Sequence, residues 1–140
     1  MAVTLEVRGP ARGRVRALVR PDLFSFQVLS PSGRFADCQL PAPRVSPLRE
    51  FFVTLGRERI RFDLARICSP EVFVEPGVYQ ITPVFRPTFD GRDVGLTAWT
   101  GRIEGEAFLA RVRRVGRGGH VAVEIIGPDG ARGGGEADAR

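Results

Sequence analysis

The sequence predicts an all-β chain folded as an antiparallel two-sheet β-sandwich, and three observations carry that expectation. Apolar and polar residues alternate from end to end, the period of strands with one buried face. The chain holds 17 Gly and 11 Pro, a supply of turn residues that favours short strands over long helices. The segment Val74-Glu75-Pro76-Gly77-Val78-Tyr79 places a Pro-Gly step before a Tyr that leads an alternating strand. Pro fixes one φ and Gly permits a positive one, so the chain can turn there between two sheets.

Val3, Leu5 and Val7 form the first alternating run, and Val15, Ala17 and Val19 the second, with Arg14, Arg16 and Arg20 between them. Gly9-Pro10-Ala11-Arg12-Gly13 separates the two, which reads as an opening hairpin. Phe24, Phe26 and Val28 make a third strand, stopped by the turn residues Ser30-Pro31-Ser32-Gly33, and Arg34 to Leu40 returns as a short fourth. Pro41, Pro43 and Pro47 each lack a backbone donor, so that stretch is a crossing loop. Glu50 to Leu55 and Arg59 to Leu64 read as two strands around Gly56-Arg57-Glu58, with Ile60, Phe62 and Leu64 on one face and Arg59, Arg61 and Asp63 on the other. Ala65 to Cys68 supplies one helical turn before the Pro-Gly corner. In the next strand, Tyr79, Ile81 and Phe85 alternate, and Pro83 marks an edge or a bulge. Residues 86–95 read as a protruding loop and Leu96 to Trp99 as a short strand. Phe108, Ala110 and Val112 close the sandwich. His120 to Ile126 adds a strand-like run after the hinge Gly116-Arg117-Gly118-Gly119. The domain is expected over residues 1–127, with 128–140 a disordered tail rich in Gly and charge.

The Pro76-Gly77-Val78-Tyr79 segment, with Trp99-Thr100-Gly101 and the closing strand Phe108 to Val112, resembles immunoglobulin-like and fibronectin-type-III-like modules over roughly residues 50–115. The resemblance implies that the Tyr79 hydroxyl bonds back to upstream backbone, a tyrosine corner. It implies no particular function, because such sandwiches host many.

All 21 basic residues are Arg, the net charge is +5 and the pI is near 10.8. A compositional bias toward Arg over Lys explains the residue type, and dispersal over the surface explains the charge, so nucleic acid is not the expected partner. No window approaches the roughly 20 apolar residues of a transmembrane segment. The N-terminus enters an alternating run without the basic and apolar regions of a signal peptide. The chain reads as soluble, and either cytoplasmic or, if a signal sequence was removed, exported. Cys38 and Cys68 bear on that choice: they form either a disulfide in an oxidising compartment or two buried thiols in a reducing one.

Chemistry-bearing patterns are sparse. The one His, His120, lies beside a glycine hinge with no nucleophile elbow nearby, and reads as an exposed strand-end residue rather than a base. Asp90 and Asp93 flank part of a loop but lack a calcium-loop spacing. Two Cys and a distant His make no zinc site, and Gly116 to Gly119 lacks the Lys-Ser/Thr of a phosphate loop. No enzyme activity, cofactor or metal is therefore expected. Arg8, Arg12, Arg14, Arg16 and Arg20 form the densest basic stretch, with Arg14, Arg16 and Arg20 expected on one strand face that meets phosphates, an acidic partner or solvent. The leading expectation is a non-catalytic interaction or structural module, an accessory subunit of a larger assembly that binds a protein partner or a second copy. Its docking element would be the alternating Val121, Val123 and Ile125, unless that run is the last strand of the domain. The alternative is a carbohydrate- or small-ligand-binding sandwich using residues 86–99, with Phe89 and Trp99 as stacking aromatics beside Asp90 and Asp93. Burial of Trp99 would count against it.

Overall fold

The computed structural model describes residues 1–116 and 120–127, except for the His120 side chain. Among the described residues ten strands, β1 (Ala2–Arg8), β2 (Arg16–Leu18), β3 (Phe24–Leu29), β4 (Phe35–Gln39), β5 (Phe52–Thr54), β6 (Arg57–Asp63), β7 (Gly77–Phe85), β8 (Ile103–Glu104), β9 (Phe108–Val115) and β10 (His120–Ile125), are joined by turns and one short α-helix, α1 (Leu64–Ile67). All pairings are antiparallel. The larger layer is a sheet in the order β10-β9-β7-β3-β4, with β8 also on β7. The smaller layer is a two-stranded ribbon in which β1 pairs with β6 and β2 with β5. The architecture is the all-β sandwich the alternation predicts.

The pairing within the ribbon differs from the sequence reading. Neither β1 with β2 nor β5 with β6 forms a hairpin; each pair is one interrupted strand. The ladder continues across the interruption, because Gly9 N–H donates to the Gly56 carbonyl (2.9 Å) and Leu55 N–H to the Val15 carbonyl (2.8 Å). Gly9-Pro10-Ala11-Arg12-Gly13 is thus part of an excursion from a continuing strand. A Cβ on Gly9 would lie 2.1 Å from the Leu55 carbonyl oxygen, so only glycine lets the two backbones meet there.

Alternation then decides what each layer buries. Val3, Leu5 and Val7 of β1 and Phe62 of β6 face inward, against Phe24, Phe26 and Val28 of β3. Phe62 bridges the layers, its ring 5.3 Å from those of both Phe24 and Phe26. Phe24 also stacks on Phe85 at 4.5 Å. Offset and edge-on ring contacts of this kind add about 0.5–1.5 kcal/mol each beyond the area they bury.

Pro83 lies in β7, a central strand, so its expected edge position is corrected. No bulge stands there either: the register with β3 runs one-to-one through Phe26 opposite Pro83. Along β7 the partner changes from β9, which pairs with residues 77–81, to β8, which pairs with Val84 and Phe85. The Pro83 carbonyl accepts from Gly105 N–H (2.8 Å) at that break. The missing proline donor points to the same edge as its carbonyl, where the ladder is already interrupted.

At the corner between layers, Asp63 caps α1 by accepting from Ala65 N–H (3.1 Å). The chain then turns through a 3-10 segment, Pro70–Phe73, into Gly77, whose φ is 134°. A Cβ there would meet Pro31 at 2.6 Å, so the β3–β4 turn seats directly on the corner. Tyr79 is fully buried against Phe73, and its hydroxyl donates to the Glu75 carbonyl at 2.8 Å. Burial raises its pKa above the ordinary tyrosine value, against the lowering effect of that bond. Cys38 on β4 and Cys68 after α1 form a disulfide with Cα atoms 4.8 Å apart, which ties the large sheet to the corner.

Two outcomes follow for denaturant unfolding. Tyr79→Phe leaves the Glu75 carbonyl short of its donor and should cost about 1–2 kcal/mol; unchanged stability would show that the bond contributes nothing. Replacing Cys38 and Cys68 together by Ala should cost about 3–4 kcal/mol through the denatured chain. Thiol-specific labelling in material from its native source should modify neither Cys until reductant is added.

Candidate functional site

Three connections converge at one end of the sandwich: β2 to β3, β4 to β5, and β7 to β8. With the outer face of β3 and β4 they enclose a groove of about 360 Å³. Its floor is polar because this face of the sheet alternates away from the core: Ser25 and Gln27 on β3 lie opposite Gln39 and Asp37 on β4. Pro43 and Ala42 form one wall, and Thr88, Phe89, Arg86 and Arg102 the other.

The first connection is held by a buried ion pair. Arg20-Pro21-Asp22 opens a 3-10 turn that brings both side chains to the same side. The Arg20 guanidinium grips the Asp22 carboxylate through Nε (2.5 Å) and Nη2 (3.0 Å). Both residues are under 10 % exposed, which makes this planar two-bond contact rigid. Gln39 Nε2 donates to the Asp22 carbonyl (2.8 Å), leaving its amide oxygen for the groove. The Arg20 guanidinium also lies 5.3 Å from the centre of the Phe89 ring, a cation–π contact that fixes the third connection against the first. Arg20 therefore does not share a solvated strand face with Arg14 and Arg16, as its spacing suggested. It is turned inward by a carboxylate two residues away, while Arg14 and Arg16 are exposed.

Residues 86–102 fold back on the sandwich instead of protruding, and Leu96 to Trp99 forms no strand. Leu96 and Gly91 are buried. The loop is closed by Leu96 N–H to Gly91 (2.9 Å), Ala98 N–H to Asp90 (2.7 Å) and Gly101 N–H to Pro87 (3.1 Å), and tied to β2 by Trp99 N–H to Arg16 (2.7 Å), the carbonyl accepting each time. Trp99 is half-buried, packs on the core and covers Gly101, and it lines neither the groove nor its neighbour, which counts against the stacking role expected for it in a ligand site of the 86–99 loop. Phe89 is 37 % exposed and stands as a ridge between the groove and a second hollow of about 460 Å³ over Ser46, Pro47 and residues 90–94. Asp90 turns back on Arg92, at 3.2 Å from its Nε and 3.0 Å from its backbone N–H. Among the described residues no group of three acidic, His or Cys side chains converges as a metal site.

The other residues singled out from sequence lie elsewhere. β10 is the edge strand beyond β9, on the opposite side of the sheet from the groove. Val123 and Ile125 pack on the core and Val121 is 37 % exposed. Pro76, Gly77, Tyr79, Cys38 and Cys68 build the corner. The side chain of His120, Arg117 to Gly119 and the 128–140 tail lie outside the described residues. The groove residues Gln27, Gln39, Arg86 and Arg102 carry no sequence signature. The nearest signal was the charge pair spaced around Pro21.

A second charged feature lies on the outer face of the ribbon. Glu6 is 1 % exposed, roofed by Arg8 (3.3 Å), Arg57 (3.8 Å) and Arg59 (3.9 Å). The three guanidinium groups are on cross-strand neighbours, since Glu6 opposes Arg59 and Arg8 opposes Arg57. The roof is a single layer of solvated arginine side chains. The Arg8 hydrogen bond, followed by the charges of Arg8, Arg59 and Arg57, holds the Glu6 carboxyl below the ordinary glutamate range despite desolvation.

No protein-family model, curated protein or solved structure matches this chain. Among the described residues no helix is long and apolar enough to cross a membrane.

The sign of the Glu6 effect is testable. A depressed carboxyl pKa contributes stability that is present above the unfolded value, about pH 4.3, and lost as pH falls through the folded one. Acid unfolding of Glu6→Gln should therefore show a shallower loss of stability below about pH 4.3 than the parent chain. An identical acid limb in both would show that the arginine roof does not act on the carboxylate.

Proposed function

We propose that this chain is a non-catalytic recognition module of immunoglobulin-like type that holds its target at the pole where the three connections meet. The order of strand pairing supports the immunoglobulin-like part. In that fold strand B pairs with E in one sheet, C, F and G make the other, and a tyrosine corner sits between E and F. The interrupted strands β1/β2 and β5/β6 correspond to B and E, and β3, β7 and β9 to C, F and G. β4 stands beside C where variable-type domains add a strand, and Tyr79 occupies the corner. β10, beyond G, is an addition to that plan.

The observation that carries the functional part is the groove itself. Its scaffold is fixed by the Arg20–Asp22 pair and the Phe89 contact, while among the described residues the Arg86 guanidinium and the Asp37 carboxylate have no partner. Rigid supports beneath free polar groups are the arrangement of a preorganised binding site. The Cys38–Cys68 disulfide supports a setting outside reducing compartments. A second reading, docking of an accessory subunit through an added strand, is favoured by β10, whose outer edge has no strand partner among the described residues.

The two readings separate in one experiment. The full chain, purified from its native source without reductant, is compared with Arg86→Glu and with Val121→Lys for retention of what binds it. Loss of at least about tenfold in Arg86→Glu, with Val121→Lys and both melting temperatures unchanged, is the expected result. The reverse pattern assigns the interaction to the β10 edge. Equal retention by all three chains defeats both.

A further inference from the structure

Resting on the pole as the recognition site, we infer that the groove takes an acidic sugar unit, a hydroxylated ring bearing a carboxylate, within a short oligosaccharide. Arg20 and Asp22 neutralise one another, and Arg102 is shared with Glu104 at the rim (3.5 Å). Among the described residues that leaves one guanidinium, Arg86, and one carboxylate, Asp37, of the groove lining without a partner. A ligand that satisfies both presents a single anionic group at one end and hydrogen donors at the other. A planar carboxylate matches the guanidinium fork, and a monoanion suffers less from Asp37 and Glu104 than a doubly charged phosphate does.

The floor between those ends selects the rest of the ligand. Ser25, Gln27 and the free amide oxygen of Gln39 offer both donors and acceptors on a flat sheet face, which suits ring hydroxyls that each donate and accept. The groove's volume of about 360 Å³ is at the small end for ligand sites, and no deep apolar pocket is present for a peptide anchor among its lining residues. Phe89, with Arg20 over its ring and 37 % of the residue exposed, supplies the aromatic surface against which a ring's C–H face can rest. Asp37 on β4 and Arg86 after β7 are two strands apart, about 10 Å in the pairing direction, so a chain of two or three sugar units spans them.

The test uses the oxidised full chain and, as the probe, a trisaccharide of one galacturonate unit on two galactose units, with neutral galactotriose and a short poly-aspartate peptide as comparisons, followed by amide chemical shifts and calorimetry. Expected are shifts at Gln27, Asp37 and Gln39, affinity for the singly charged trisaccharide at least about tenfold above that for galactotriose, weakening with added salt, and about tenfold loss in Arg86→Ala at an unchanged melting temperature. Arg86→Lys should recover only part, because an ammonium cannot make the two-bond contact. Equal binding of the neutral sugar, insensitivity to Arg86→Ala, or tighter binding of poly-aspartate overturns the acidic-sugar assignment. Absence of any shift at the groove also overturns it. In that last case the pole reading itself stands if Arg86→Glu still abolishes retention of the native partner, and falls with it otherwise.

Discussion

A two-stranded ribbon cannot stand alone in water, and the small layer of this sandwich is nothing more than that. Its two long interrupted strands find each other across roughly the first half of the chain, and no third strand flanks them among the described residues. The ribbon persists because its inner face is buried on the large sheet, with Phe62 set between Phe24 and Phe26. Every connection that builds the groove crosses between these layers or spans the sheet beside them. The packing of one aromatic ring from the ribbon into two from the sheet therefore underlies the position of the groove. The corner at Tyr79 secures the other end of the same strands, while the disulfide starts at Cys38, directly opposite Phe26 on the neighbouring strand.

Much of this was legible. Alternation identified the inward residues of β1, β3, β6 and β7 correctly because a strand with one buried face has a period set by geometry alone. The Pro76-Gly77 step and Tyr79 located the corner because the torsions and the hydroxyl bond there are local requirements. Pairing was less legible. Glycine and proline between two runs signal that the chain bends, but an excursion and a reversal use the same residues. Gly9 was read as part of a hairpin turn, whereas its role is to let the backbone at Leu55 approach. Pro83 misled in the same way: it forbids a donor at one edge, and the break between β8 and β9 made a central strand acceptable.

The candidate site was the least legible part. Arg20 belonged by spacing to an exposed basic face, and only the 3-10 turn after it brings Asp22 within reach. Gln27, Gln39, Arg86 and Arg102 are ordinary surface residues until three distant connections meet. Phe89 was singled out as a ligand aromatic and does line the groove, while Trp99, chosen by the same reasoning, fastens the loop to β2. Aromatic identity alone does not distinguish a ring that anchors a loop from one the loop presents.

The link between Cys38 and Cys68 also has a mechanical meaning. It closes a ring through β5, β6 and the proline-rich crossing, so residues 39–67 lie off the load path when the chain is pulled from its ends. About 100 Å of contour is withheld from extension for as long as the bond is intact. The wall of the groove formed by Ala42 and Pro43 lies inside that ring. A tug transmitted through the flanking chain would unravel β1 or the C-terminal strands while this wall stayed tethered, and cleavage of the bond by reductant would put the wall under load.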